Sequence, residues 1–134
     1  SYQVHALPKP SANISCGVDL AHSSWLGVNC STDAQQTRQI ARGAKFDWLI
    51  VDHYALHYRW ESTMRSEYRR IMVIDDLADR HHDCDLFLDQ NYGSSEERYA
   101  GLVPFECTQL HGPEFALLKP IYARCRAEQS VRSG

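Results

Sequence analysis

Three polar clusters stand directly behind three apolar runs: Asp52-His53-Tyr54, Asp75-Asp76 and Asp89-Gln90-Asn91. His53 has an imidazole that titrates near neutral pH, so it could act as base, acid or hydrogen-bond donor. Tyr54 could orient a sugar or a phosphate through its hydroxyl, or stack its ring. The structural alternative is that Asp52 caps local amides while Tyr54 packs between a loop and a helix. Asp75 and Asp76 could supply a carboxyl pair for acid/base work. Adjacent strand residues point to opposite faces, so both meet one ligand only if the chain turns there. The alternative for this pair is loop capping and an ion pair with Arg80. Gln90 and Asn91 could contact a polar ligand or form a turn before Gly93. His57 is expected to face solvent.

Other chemistry finds less support. His81, His82 and Cys84 lie close together but lack an obvious fourth ligand, so no metal is expected and the stretch reads as a surface loop. Five cysteines (Cys16, Cys30, Cys84, Cys107 and Cys125) are an odd number without a tight pair, which fits reduced thiols. Gly101-Leu102-Val103-Pro104 lacks both the phosphate-loop lysine and the G-x-G-x-x-G spacing. The serines lack a G-x-S-x-G elbow.

The chain has 134 residues, 43% hydrophobic and 23% charged, with a formal charge of -3. Those values suit one ordinary folded domain. No dense Lys/Arg run offers a face to nucleic acid, and Arg65, Arg69 and Arg70 read as the solvated side of a helix. No apolar stretch is long enough to cross a membrane, and no signal peptide is evident, so a cytoplasmic setting is expected.

Positioning these residues requires a scaffold. Val4 to Leu7 reads as a short strand stopped by Pro8 and Pro10, and Ser11 to Asn29 as a long irregular connection, part of a surface opening. Ser31 or Thr32 can cap a helix over Asp33 to Ala41, ended by Gly43. Phe46 to Asp52 has a continuous apolar centre, which predicts a parallel strand buried on both faces. A helix over Trp60 to Arg69, a strand over Arg70 to Asp76 and a third run over Asp85 to Asp89 follow. Ser94 or Ser95 can cap a short helix carrying Glu96 and Glu97, and Cys107 to His111 is a last strand broken by Gly112-Pro113. The alternation predicts an α/β domain with a mainly parallel sheet. Ligands collect beyond the carboxyl ends of such strands, where the three polar clusters would share one rim.

Several segments also carry a resemblance. These are Asp47-Trp48-Leu49-Ile50-Val51-Asp52-His53-Tyr54, Val73-Ile74-Asp75-Asp76-Leu77-Ala78-Asp79-Arg80, and His82 to Asn91. Tyr99-Ala100-Gly101-Leu102-Val103-Pro104 and Gly112 to Leu118 complete the set. In this order they resemble the UDP-2,4-diacetamido-2,4,6-trideoxy-beta-L-altropyranose hydrolases of pseudaminic acid biosynthesis. The resemblance implies a Rossmann-like, incomplete amino-terminal domain (1–122) of a GT-B-type architecture, with 123–134 as linker start or tail. It implies a UDP-sugar substrate in the intact protein, hydrolysed by water to UDP and the free sugar, with no cofactor. Tyr54 matches the family's active-site tyrosine, beside Asp52 and His53. The family has Gly after that tyrosine where this chain has Ala55, which would stiffen the turn if the backbone there needed a positive φ.

The resemblance also implies a catalytic histidine in an early Gly-His turn, and a carboxyl-terminal domain that supplies most nucleotide contacts. Neither segment is recognised in this chain, so the chain alone is expected to be inactive, with a sheet edge open to self-association. Two other readings stay open: a non-catalytic sugar-nucleotide or protein-binding module, and a fragment of another GT-B glycosyltransferase-like enzyme.

Overall fold

The computed structural model describes residues 3–8, 21–122 and 124–125. Helices α1 (Cys30–Ala41) and α2 (Tyr58–Met64) precede β1 (Phe46–Val51) and β2 (Tyr68–Ile74) respectively, and β3 (Leu86–Asp89) and β4 (Thr108–His111) follow without an α-helix between them. The strands lie in the order β1-β2-β3-β4, and every neighbouring pair is parallel. The α/β sheet expected from the apolar runs is therefore present. Val51 pairs with Val73, Val73 with Phe87, and Asp89 with His111, so the carboxyl ends align along one rim.

One core holds these elements together. Val51, Ile71, Val73 and Phe87 of the sheet cluster with Ala34 of α1, Trp60 and Met64 of α2, and Tyr99. Phe87 and Tyr99 meet with ring centroids 4.4 Å apart. Burying each such side chain contributes about 1.5–3 kcal/mol. Between the helices, the Trp60 indole N–H donates to Asp33 Oδ1 at 2.7 Å.

Local expectations were corrected in several places. Residues 3–8 form no strand, and Val4 is exposed. So short a run gains nothing from an extended shape without a neighbouring strand to pair with. The connection from Ser11 to Asn29 is described only from residue 21, where a 3₁₀ turn spans Ser23–Leu26. Asn29, rather than Ser31 or Thr32, caps α1 by accepting from the Thr32 amide at 2.7 Å. Gly43, at φ 84°, follows the helix as expected. Ser95 precedes the 3₁₀ turn Glu96–Tyr99 without a side-chain capping bond.

Helix α2 starts two residues early because His57 caps it, its Nδ1 accepting from the Arg59 amide at 3.2 Å, and it ends at Met64. His57 is thus buried rather than solvent-facing. Arg69 and Arg70 belong to β2, not to a helix, while Arg65 pairs with Asp83 and Asp85 at 2.7 and 2.6 Å.

The largest correction concerns β1. Phe46, Trp48 and Ile50 are 46%, 41% and 61% exposed, although the run predicted burial on both faces. Its position accounts for this: β1 is the edge of the described sheet, with no strand among the described residues on its outer side. Trp48 is flanked instead by the Arg70 guanidinium, 5.5 Å from its ring centre.

Candidate functional site

The shared rim exists. A cavity of about 320 Å³ beyond the strand ends is lined by Asp52, Tyr54, Asp75, Asp76, Gln90 and Asn91, with apolar surface from Ile74 and Leu88. It gathers residues from behind β1, β2 and β3.

Asp76 organises the centre. Its Oδ1 accepts from the Tyr54 hydroxyl at 2.8 Å, and its Oδ2 accepts from Asn91 Nδ2 at 2.9 Å. The Arg98 guanidinium donates to the Asp76 carbonyl at 2.7 Å. Asp76 thus fixes two neighbours that face the cavity. Its bond to Tyr54, followed by burial and by the charges of Asp76, Asp75 and Asp52, pushes the phenol up to about 12. Tyr54 is therefore a neutral phenol at every physiological pH.

Asp75 points into the protein. Its Oδ1 accepts from Arg80 at 2.6 Å, and its Oδ2 accepts from the amides of Leu77 and Ala78 at 3.2 and 3.3 Å. This pairing and loop capping are what the structural alternative predicted. The turn it braces lets both aspartates line one cavity, and it places Ala78 at φ 53°. Burial works against the Asp75 charge, but His82 and Arg80 outweigh it and hold the carboxyl at about 2.

His82 is the counterpart, and it is buried, not on a surface loop. Its Nδ1 meets Glu61 Oε1 at 2.8 Å, and its Nε2 lies 3.8 Å from Asp75 Oδ2. Burial alone would lower its pKa, yet the two carboxylates raise it. His81 remains exposed, and among the described residues no group of side chains forms a metal site.

His53 takes a structural position. Its Nδ1 accepts from the Ala55 amide at 3.1 Å, and its ring is not part of the cavity lining. Asp52 is exposed at the mouth. Gln90 accepts from the Leu117 amide at 3.0 Å through Oε1. Ala55 is buried, and Ala78 is the one non-glycine residue with positive φ among the described residues, so an alanine after Tyr54 meets no left-handed constraint.

The sequence did not single out His22, Trp25 or Arg98 as neighbours of the site. His22 and Trp25 approach Tyr54, with ring centroids 5.5 and 6.0 Å away, and form an aromatic wall from the irregular early connection. Asp89 is buried and receives the Tyr99 hydroxyl at 2.8 Å, the Asn91 amide at 3.0 Å and Arg98 at 3.2 Å. The polar ending of the third apolar run was a signal for Asp89. Nothing local announced Arg98 or Tyr99 as its partners.

Comparison with known proteins gives one relevant likeness. Over 76 residues, 56% of this chain, the sequence is 37% identical to the UDP-2,4-diacetamido-2,4,6-trideoxy-beta-L-altropyranose hydrolase of Campylobacter jejuni subsp. jejuni serotype O:2. The match covers 27% of that protein, so the chain spans about a quarter of its relative's length. It is a partial-domain match to this hydrolase family. No family model matches the chain.

Proposed function

We propose that the rim cavity is the glycosyl side of a nucleotide-sugar hydrolase site. Its substrate would be a UDP-linked diacetamido-trideoxy-altropyranose, as in pseudaminic acid synthesis. The observation that carries this reading is a cavity rich in acceptors whose central tyrosine is locked by Asp76. Asp52 and Asp76 contribute carboxylates, and none of the described lining residues is Lys or Arg. Two like charges 4 Å apart repel by about 4 kcal/mol at an effective dielectric of 20. A diphosphate is therefore disfavoured here, whereas the hydroxyl and acetamido N–H groups of an uncharged sugar find acceptors.

In this reading Tyr54 orients the sugar near its bond to phosphate, and Gln90 and Asn91 read the ring substituents. Asp52 and His53 support the loop that carries Tyr54. Water displaces UDP from the sugar, giving UDP and the free diacetamido sugar. None of the described lining residues is a histidine, so in this reading the base that deprotonates water would come from elsewhere in a GT-B-type protein. A second domain of that protein would hold the nucleotide. A cytoplasmic setting, where activated sugars are made, fits this role. The test is UDP release from the nucleotide sugar by protein made from the full reading frame. Release is the expected result, and its absence would remove the hydrolase assignment.

The exposed β1 edge favours a second role, apart from the cavity: pairing with another chain. The expected outcome is concentration-dependent self-association of this chain in sedimentation runs, reduced by Ile50→Lys. A monomer at high concentration would exclude it.

A further inference from the structure

The sequence offers no tight cysteine pair, but the fold makes one. Cys84 lies two residues before β3 and Cys107 immediately before β4. Leu86 and Thr108 are register partners, so the two cysteines approach from adjacent strand entrances. Their Sγ atoms are 3.5 Å apart, at van der Waals contact, and both residues are buried at 2% and 9% exposure. The remaining approach requires side-chain rotation rather than a rearranged sheet.

We propose that Cys84 and Cys107 are a reversible oxidation site that takes a hydroperoxide and closes into an internal disulfide between the entrances of β3 and β4. Cys107 is the attacking sulfur. It donates to the Thr108 carbonyl at 3.5 Å, which leaves Cys84 to donate to Cys107. That donation, together with the charges of His82 and Arg65, favours the Cys107 thiolate against burial and Asp85. Cys84 is pushed the other way by the same bond, by burial and by Glu61.

In the first step the Cys107 thiolate attacks one peroxide oxygen, the O–O bond breaks, and hydroxide leaves and takes a proton to become water. Cys107 is then a sulfenic acid. In the second step Cys84 sulfur attacks Cys107 sulfur, the S–O bond breaks, and the Cys84 proton leaves with hydroxide as a second water. Two thiols have lost two electrons and the peroxide has gained them. The site is independent of the hydrolase reading.

The test treats the full chain with hydrogen peroxide, blocks remaining thiols with N-ethylmaleimide under denaturing conditions, and maps tryptic peptides without reduction. Arg80 and Arg98 bracket the Cys84 peptide, and Cys107 falls in the following one. The expected product is a cross-linked pair of these peptides, two hydrogens lighter than their sum and released by dithiothreitol. It should be lost in Cys107→Ser, and the wild-type map alone suffices if that variant does not fold. Alkylated Cys84 and Cys107 beside an oxidised Cys125, which is exposed, would overturn the proposal. So would separate over-oxidation of the two sulfurs without a cross-link.

Discussion

An Arg80→Met chain will lose about 3–5 kcal/mol of folding stability, the range for breaking a buried ion pair by removing one partner. The Arg80 side chain is 2% exposed, and it spends its donors on three partners. Nε donates to the Leu56 carbonyl at 2.8 Å, Nη1 to Asp79 at 2.8 Å and Nη2 to Asp75 at 2.6 Å. Methionine fills much of the volume but leaves the Asp75 carboxylate buried opposite fewer positive charges. Urea denaturation followed by circular dichroism measures the loss. Asp79→Asn is the control, because Asp79 is over a third exposed and its pair should contribute no more than about 1 kcal/mol. A loss below 1 kcal/mol in Arg80→Met would mean that the network is not structural.

The same network sets a pH window. The folded pKa of Asp75 is depressed from 3.8 to about 2, so its contribution is present above the unfolded value and disappears as pH falls from 3.8 towards 2. A shift of that size corresponds to about 2 kcal/mol. The folded pKa of His82 is raised above its usual 6.5, so its contribution is complete below 6.5 and is lost as pH rises through the folded value. Wild-type stability should therefore be greatest between these two arms. In Arg80→Met the acid arm should be smaller, because Asp75 has lost one of the cations that depress its folded pKa.

Tyr54→Phe should lower UDP release by the full-length protein about a hundredfold, the lower end of what one positioned transition-state hydrogen-bonding group contributes. Loss of the hydroxyl removes one group from the cavity and leaves Asp76 Oδ1 without its 2.8 Å partner. The effect should fall on kcat more than on folding, since Tyr54 is only half-buried. With its phenol at about 12, Tyr54 acts by orientation and not as a base, so the pH–rate profile should show no break attributable to it near 10. Asp76→Asn weakens the hold while keeping an acceptor. The Tyr54 phenol should then titrate closer to 10, visible in the NMR of ring-labelled tyrosine. A Tyr54→Phe protein as fast as wild type would remove Tyr54 from the site.

Strands β1, β2 and β3 were legible because each holds an apolar run followed by a carboxylate, whereas β4 (Thr108–His111) was read from the Gly112-Pro113 break behind it. The common rim followed, because strands that run parallel must align their carboxyl ends. Burial of β1 was not legible. The run Trp48-Leu49-Ile50-Val51 has the composition of a central strand, and only the sheet order shows that it lies at an edge. His57 escaped because imidazole is an unusual helix cap, and its capping acceptor is visible only once the chain is folded.

His82 escaped for a different reason. A histidine in a polar connector reads as solvated, and the carboxylate that makes its burial tolerable, Glu61, lies twenty-one residues earlier. The cysteine contact likewise spans twenty-three residues and depends on the register of β3 against β4. At the cavity itself, residue types identified Tyr54, Asp76 and Asn91. What they could not show is that Asp76 spends both carboxylate oxygens on the other two.

The most direct test of the cavity assignment is a titration of this chain with the diacetamido nucleotide sugar and, separately, with UDP, followed by backbone amide NMR. The acceptor-rich cavity, whose described lining holds no Lys or Arg, predicts shifts at Asp52, Tyr54, Asp76, Gln90 and Asn91 with the nucleotide sugar and none there with UDP alone. Equal shifts at these residues with UDP alone, or none with the sugar nucleotide at millimolar concentration, would contradict it.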